Sequence, residues 1–180
     1  MPRHAALNLA TLTDPQRRVV DEVRAGRRGT VPANVVAWLP SPELARRAAA
    51  LGEFVRYETS LGPRLSELAI LVVARHWSCA YEWAVHAGEA DAAGVPAAVI
   101  EAVARDTAPA LTGADAVVHE FTRELVRTGQ VGDAVHARAV AALGDAGVVD
   151  LVGVVGYYTL VAFTLNASEV AAPAGAPVLP

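Results

Sequence analysis

Four residues between Glu67 and His86 have the types and the spacing to do proton or thiol chemistry on one substrate. The stretch ELAILVVARHWSCAYEWAVH sets Glu67 in an apolar helical run, breaks at His76-Trp77-Ser78, and opens a second helix bearing Cys79, Glu82 and His86. At about 100° per residue, offsets of three and seven bring those last three within roughly a 60° arc of one helix face. A thiol in a first helical turn feels unsatisfied backbone N–H groups and the positive dipole end, and both favour thiolate. Glu82 opposes this when ionised, and a protonated His86 supports it. The chain has one cysteine, so any thiol cycle needs an external reductant or Cys79 of another subunit to recapture a sulfenic acid. Two carboxylates and an imidazole in an apolar pocket offer different chemistry: their pKa values can be driven apart, so that one group holds a proton while another accepts one. Glu67, among Leu68, Ile70 and Leu71, is the residue that desolvation predicts to be the protonated acid.

Groups that could hold a substrate lie nearby. Arg56, Arg64 and Arg75 are candidates to grip a carboxylate, with Arg75 preferred for its place beside the break, and His76, Tyr81 and Tyr157 complete the expected binding set. Arg27 and Arg28 can meet an anion but read better as solvated charge. Trp77, Tyr81 and Trp83 read as core or pocket wall. Tyr157, Tyr158 and Asn166 add polar atoms to an apolar helix and can face the pocket, although satisfied core groups are the default. Glu82 and His86 at i, i+4, with Glu67 and His76, are ligand types for zinc or iron. No Glu-x-x-His pair exists on a second helix to complete a di-iron set, so neither a metal nor another cofactor is expected. The plainer readings are a surface Glu–His pair worth a few tenths of a kcal/mol, a small buried cysteine, and surface positions for His4, His119 and His136. Glu67 resists that treatment, because a carboxylate on an apolar run needs a partner.

The elements that must position these groups are helical. Asp14-Pro15 reads as the start of a first helix, with Asp14 as N-cap, ending near Gly26, and RRGTVPAN as a loop. Ser41-Pro42-Glu43 starts another, whose Leu44, Ala48, Leu51 and Val55 form an apolar stripe. The spacing predicts a third helix from about Arg64 to Arg75, a fourth capped by Ser78 and ending around Gly94, and a fifth opened by Pro96. ADAVVHEFTRELVRTG carries a stripe stopped by Gly129. Asp133 to Leu143 follows, then a stop at Gly144 and a last helix from Val148 to about Asn166. With no convincing strand alternation, the chain reads as all-α, a single-domain helical bundle over residues 13–170 between an N-terminal arm (1–12) and a Pro/Gly/Ala-rich tail (171–180).

Apolar residues make up 53% of the 180 positions and charged ones 19%, against about 45–50% and 25% in typical domains. That excess points to self-association. A net charge of −4 and the lack of a basic run argue against nucleic acid. Leu151 to Leu165 is uncharged but shorter than the roughly 20 residues of a membrane span, and reads as a core or interface helix, so no membrane is expected. The lone cysteine and the absence of a secretory leader pattern suit the cytoplasm.

The spacing of these residues resembles the carboxymuconolactone decarboxylase superfamily, which includes the alkylhydroperoxidases of the AhpD type. In the redox branch a Glu precedes a Cys-x-x-Cys by twelve residues, and a His follows the second Cys by four. Glu67, Cys79 and His86 match, while Glu82 stands at the second Cys position. LTDPQRRVVDEVRAGRRG, SPELARRAAALGEFVRYETSL and GYYTLVAFTLNASEV extend the likeness, which is to the decarboxylase-like branch. The resemblance implies an AhpD-like bundle assembling as homotrimer or hexamer, and a cofactor-free lyase similar to 4-carboxymuconolactone decarboxylase acting on a small organic acid or lactone. Decarboxylation, isomerisation, dehydration and cyclisation all stay open. So do a single-cysteine, peroxiredoxin-like peroxidase using Cys79 and a non-catalytic metabolite-binding oligomer.

Overall fold

Residues 8–180 are described by the structure, a computed structural model; residues 1–7, with most of the expected arm and His4, lie outside them. A short 3-10 turn at Leu9–Thr11 leads into α1 (Asp14–Ala25), α2 (Ala33–Trp38), α3 (Pro42–Tyr57), α4 (Gly62–His76), α5 (Ala80–Ala92), α6 (Ala97–Ala104), α7 (Gly113–Thr128) and α8 (Asp133–Ala167). No strand occurs among the described residues, and the fold is an all-α helical bundle.

α4 is the axis. Every residue from Ser66 to Ala74 is buried, because α3, α5, α6, α7 and α8 all pack against this helix. A helix covered on every side is apolar all round, which accounts for the run LAILVVA. One apolar cluster joins α4 to α1, α2, α3, α7 and α8. A second, with Leu68, Leu71, Val72, Trp83 and Val99, joins it to α5 and α6.

The reversal between α4 and α5 decides which residues meet. Ser78 takes a left-handed turn (φ 48°) and Cys79 becomes the N-cap of α5, one position later than the sequence predicts. Thr159 Oγ1 accepts from Trp77 Nε1 at 3.2 Å, and Asn166 Nδ2 donates to the Trp77 carbonyl at 2.8 Å. Asn166 thus pins the break rather than facing a pocket. Glu67 and His86 stand ten and nine residues from Trp77 on either side, so the returning helix brings them to the same height.

Other expectations shift in detail. The N-cap of α1 is Thr13, not Asp14, and its backbone N–H donates to Gln16 Oε1 at 3.0 Å. α2, six residues long, starts in the last two residues of the segment read as loop and runs on through Trp38, where no element was expected; it is too short for periodicity to register. α3 turns Ala45, Ala48, Gly52 and Val55 inward, whereas Leu44 and Leu51, expected in the buried stripe, are each 46% exposed. Gly144 (φ 73°) kinks α8 where a stop was expected, so its two halves follow one another as a bent helix. By length and composition α8 is apolar enough to cross a membrane, and half of its most apolar stretch is buried in the bundle.

Gly52 is where packing is least forgiving. A Cβ there would lie 2.0 Å from Tyr157 Oη and 2.5 Å from its Cζ. Gly52→Ala should lower stability by about 1–3 kcal/mol through overpacking, outweighing the helix-propensity gain of up to about 1 kcal/mol. Gly88→Ala, with nothing within 4 Å, should raise it by about 0.5–1 kcal/mol. Urea unfolding of the two variants checks this, and a neutral Gly52→Ala would contradict the packing.

Candidate active site

A carboxylate within the fully covered part of α4 must find a partner. Glu67 finds His86: its Oε2 lies 2.6 Å from His86 Nδ1. One helical turn earlier on α5, Glu82 Oε2 stands 3.4 Å from His86 Nε2. His86 is therefore held between two carboxylates, and all three side chains are buried. Burial works against the imidazolium charge, but the hydrogen bonds and charges of Glu67 and Glu82 outweigh it and push the His86 pKa up to about 9. The proton-holding group is thus the imidazole.

Glu82 and His86 open onto a cavity of about 390 Å³, with Arg28, Arg56, Tyr81, Tyr157 and Tyr158 also in its wall. Glu67 stands behind His86, outside that lining. The Tyr158 ring meets the imidazole edge-on, centroids 5.0 Å apart, and the Tyr157 ring at 5.3 Å. Asn34 Nδ2 donates to Tyr157 Oη at 3.5 Å, whereas Tyr158 Oη is buried without a hydrogen-bond partner. Burial raises the Tyr157 phenol to about 12 and the Tyr158 phenol further, so both remain protonated donors. The Tyr57 ring gathers the guanidiniums of Arg27, Arg56 and Arg28 at 4.8, 5.6 and 6.0 Å from its centroid. Arg28 is further fixed by donating to the Gly52 carbonyl at 3.2 Å, and Arg56 by Glu89 at 3.1 Å.

Of the residues picked out by sequence, Glu82, His86, Tyr81 and Tyr157 share this cavity, with Glu67 in contact from behind. Cys79 does not line it. Its side chain is fully buried in the main core cluster, and desolvation raises the thiol pKa to about 11 despite the backbone N–H groups of Glu82 and Tyr81. The arc drawn through Cys79, Glu82 and His86 fails because a cap residue is not yet helical: Cys79 has φ −85° and ψ 91°. Arg75 and His76 line a different hollow; at about 100° per residue His76 lies roughly 180° around α4 from Glu67. Arg64 is taken by Asp115. The cavity-lining residues that sequence reasoning undervalued are Arg28, Arg56, Asn34 and Tyr158, which lie outside the Glu67–His86 stretch.

Residues 42–119 match the family model described as Carboxymuconolactone decarboxylase family. That segment, under half of the chain, is similar to the carboxymuconolactone decarboxylase family. No curated protein matches the chain. The family segment runs from α3 into α7 and so contains Arg56, Glu67, Tyr81, Glu82 and His86, while Arg28, Asn34, Tyr157 and Tyr158 come from either side of it. The cavity is therefore a joint product of the family segment and its flanks.

A pKa raised in the folded state stabilises while the group is protonated. The contribution of His86 is complete below its ordinary 6.5 and is lost as pH rises through about 9. Urea midpoints should accordingly fall between pH 6.5 and 9.5, more steeply in the parent than in His86→Gln. Identical slopes would show that the imidazole gains no proton affinity on folding.

Proposed function

We propose that the chain is a cofactor-free acid–base enzyme that decarboxylates, or otherwise moves a proton on, a small organic acid or lactone. The observation that carries this reading is His86, buried between Glu67 and Glu82 and open to a cavity that also presents Arg28 and Arg56. Arginine suits a carboxylate because its planar fork can donate two parallel hydrogen bonds. In a decarboxylation the bond between the substrate carbon and its carboxylate breaks, CO₂ leaves, and the electron pair passes into the conjugated system as an enolate-like oxyanion. The unpartnered Tyr158 hydroxyl is a donor for that oxyanion. His86, as imidazolium, then delivers its proton to the vacated carbon, Glu82 steadies or relays it, and solvent restores it. The substrate exchanges a carboxylate for a hydrogen and no electron acceptor is required. Glu67 acts through His86, fixing the ring and its charge, and is a positioning residue. The buried, high-pKa thiol of Cys79 gives the peroxidase alternative no support.

The self-association expected from composition has a candidate surface in α8, where Val149 (71%), Val152, Leu160 and Phe163 are exposed along one side. Val152→Glu should lower the mass seen by light scattering; an unchanged mass would move the contact elsewhere.

A panel of small lactone acids and unsaturated acids in D₂O tests the activity, following CO₂ release and deuterium uptake at the vacated carbon. Glu82→Gln and His86→Gln should each reduce kcat/KM by about 10²–10⁴-fold, and Tyr158→Phe should cost kcat about 10²–10³-fold. Arg56→Gln should act chiefly on KM. Glu67→Gln should abolish most turnover and displace the pH profile, while Cys79→Ser retains most activity. Peroxide consumption lost on Cys79→Ser, with no acid turned over, would replace this reading with the thiol one.

A further inference from the structure

On the side of α4 away from Glu67 lies a second hollow, of about 320 Å³, between the C-terminal ends of α4 and α7 and the turn after α6. Its polar wall is cationic: Arg75 and His76 from α4, and His119, Arg123 and Arg127 from α7, against one carboxylate, Asp106. Arg123 pairs with Asp106 at 3.2 Å, and Glu120, next along α7, is engaged by Arg138. Arg75 is half-buried, and its Nε is fully buried with no acceptor. Basic residues in a last helical turn complement the macrodipole, which accounts for charge at these two helix ends. It does not account for an arginine Nε drawn inside without an acceptor, or for the hollow beside it. Three guanidiniums facing one carboxylate leave two positive charges over, before either histidine is protonated. Burial and Arg127 lower the pKa of His76, and burial and Arg123 lower that of His119, with Asp106 opposing both and Glu120 also opposing at His119.

We propose that this hollow is a second binding site, for a small organic molecule bearing a phosphate group. A phosphate monoester carries about −1.5 to −2 charges near neutrality, which balances the excess, and it offers oxygens to several arginine forks at once. The hollow holds about ten water volumes at roughly 30 Å³ each, more than a bare oxyanion fills. It falls in the roughly 300–1,000 Å³ range of small-molecule pockets. Val72, Val103 and Val126 supply an apolar wall for the organic part.

The test is a titration of the full chain with phenyl phosphate, with inorganic phosphate and benzoate in parallel, following the imidazole Cε1–H resonances. Phenyl phosphate should shift His76 and His119 saturably, raise both their pKa values as the dianion offsets the arginines, and leave His86 unmoved. Arg75→Gln and Arg127→Gln should each weaken it at least tenfold, and benzoate and inorganic phosphate should bind at least tenfold more weakly. Arg127 is exposed, so its variant keeps the measurement independent of any folding defect at Arg75. Non-saturating shifts, affinity indifferent to both arginine variants, or equal binding of benzoate overturns the proposal. A change of mass by light scattering on Arg75→Gln also overturns it, because a second copy would then occupy the hollow. His86 serves only as the unmoved reference, and no readout depends on turnover in its cavity, so the two proposals fail separately.

Discussion

The hydrogen bond between Glu67 and His86 is the constraint around which the bundle is arranged. α4 is buried along its whole middle, and a carboxylate there without a charged partner would carry a desolvation penalty of several kcal/mol. His86 removes that penalty, but an imidazolium inside the protein needs its own compensation, which Glu82 supplies from the same helix. The three groups are therefore stable only as a set. Removing one partner of a buried pair characteristically costs about 3–5 kcal/mol, since the survivor is left uncompensated, and apolar residues of equal volume would hold the helices together at least as well. A bundle that retains such a set has spent stability on it, and the cavity beside His86 supplies a reason.

That constraint was legible in the sequence to a definite depth. Glu67 stood out as a carboxylate in an apolar run, and the break at His76-Trp77-Ser78 with Glu82 and His86 beyond it implied a hairpin of two helices. Nearly equal distances from the turn then make Glu67 and His86 neighbours. The helix start at Pro42 and the stop at Gly129 were marked by residues with strong local preferences, and the start expected near Arg64 falls two residues earlier, at Gly62. What failed was finer geometry. Whether Ser78 or Cys79 caps α5 depends on one backbone angle, and that angle decides whether the thiol shares the face of Glu82 and His86 or enters the core. Placing the apolar stripe of α3 on Leu44 and Leu51 rather than Ala45 and Gly52 was a rotation of one residue, about 100°, which hydrophobicity alone cannot correct when the inward residues are small.

The wall opposite His86 could not be read locally because it is assembled from distant segments. Arg28 follows α1, Asn34 lies in a helix too short to show a period, and Tyr157 and Tyr158 look like ordinary members of an apolar helix. Their meeting depends on Gly52, whose missing side chain lets the Tyr157 ring lie against α3 and receive Asn34. In the same region Tyr57 holds three arginines around one ring, so that Arg28 and Arg56 reach the cavity mouth together. Only packing identifies these as pocket residues.

Glu82 occupies the position at which a dithiol site would carry its second cysteine, and the structure indicates what that exchange entails. A resolving thiol has to reach an attacking one, which requires Cys79 to be accessible and its thiolate favoured. Here the Cys79 side chain is fully buried and its pKa is raised, while the adjacent turn directs Glu82 to the imidazole instead. After Glu67, the Glu82 carboxylate helps to keep His86 protonated. The Cys79 thiol is held up chiefly by burial, with the Glu82 charge adding to it, so the arrangement favours proton chemistry over thiol chemistry.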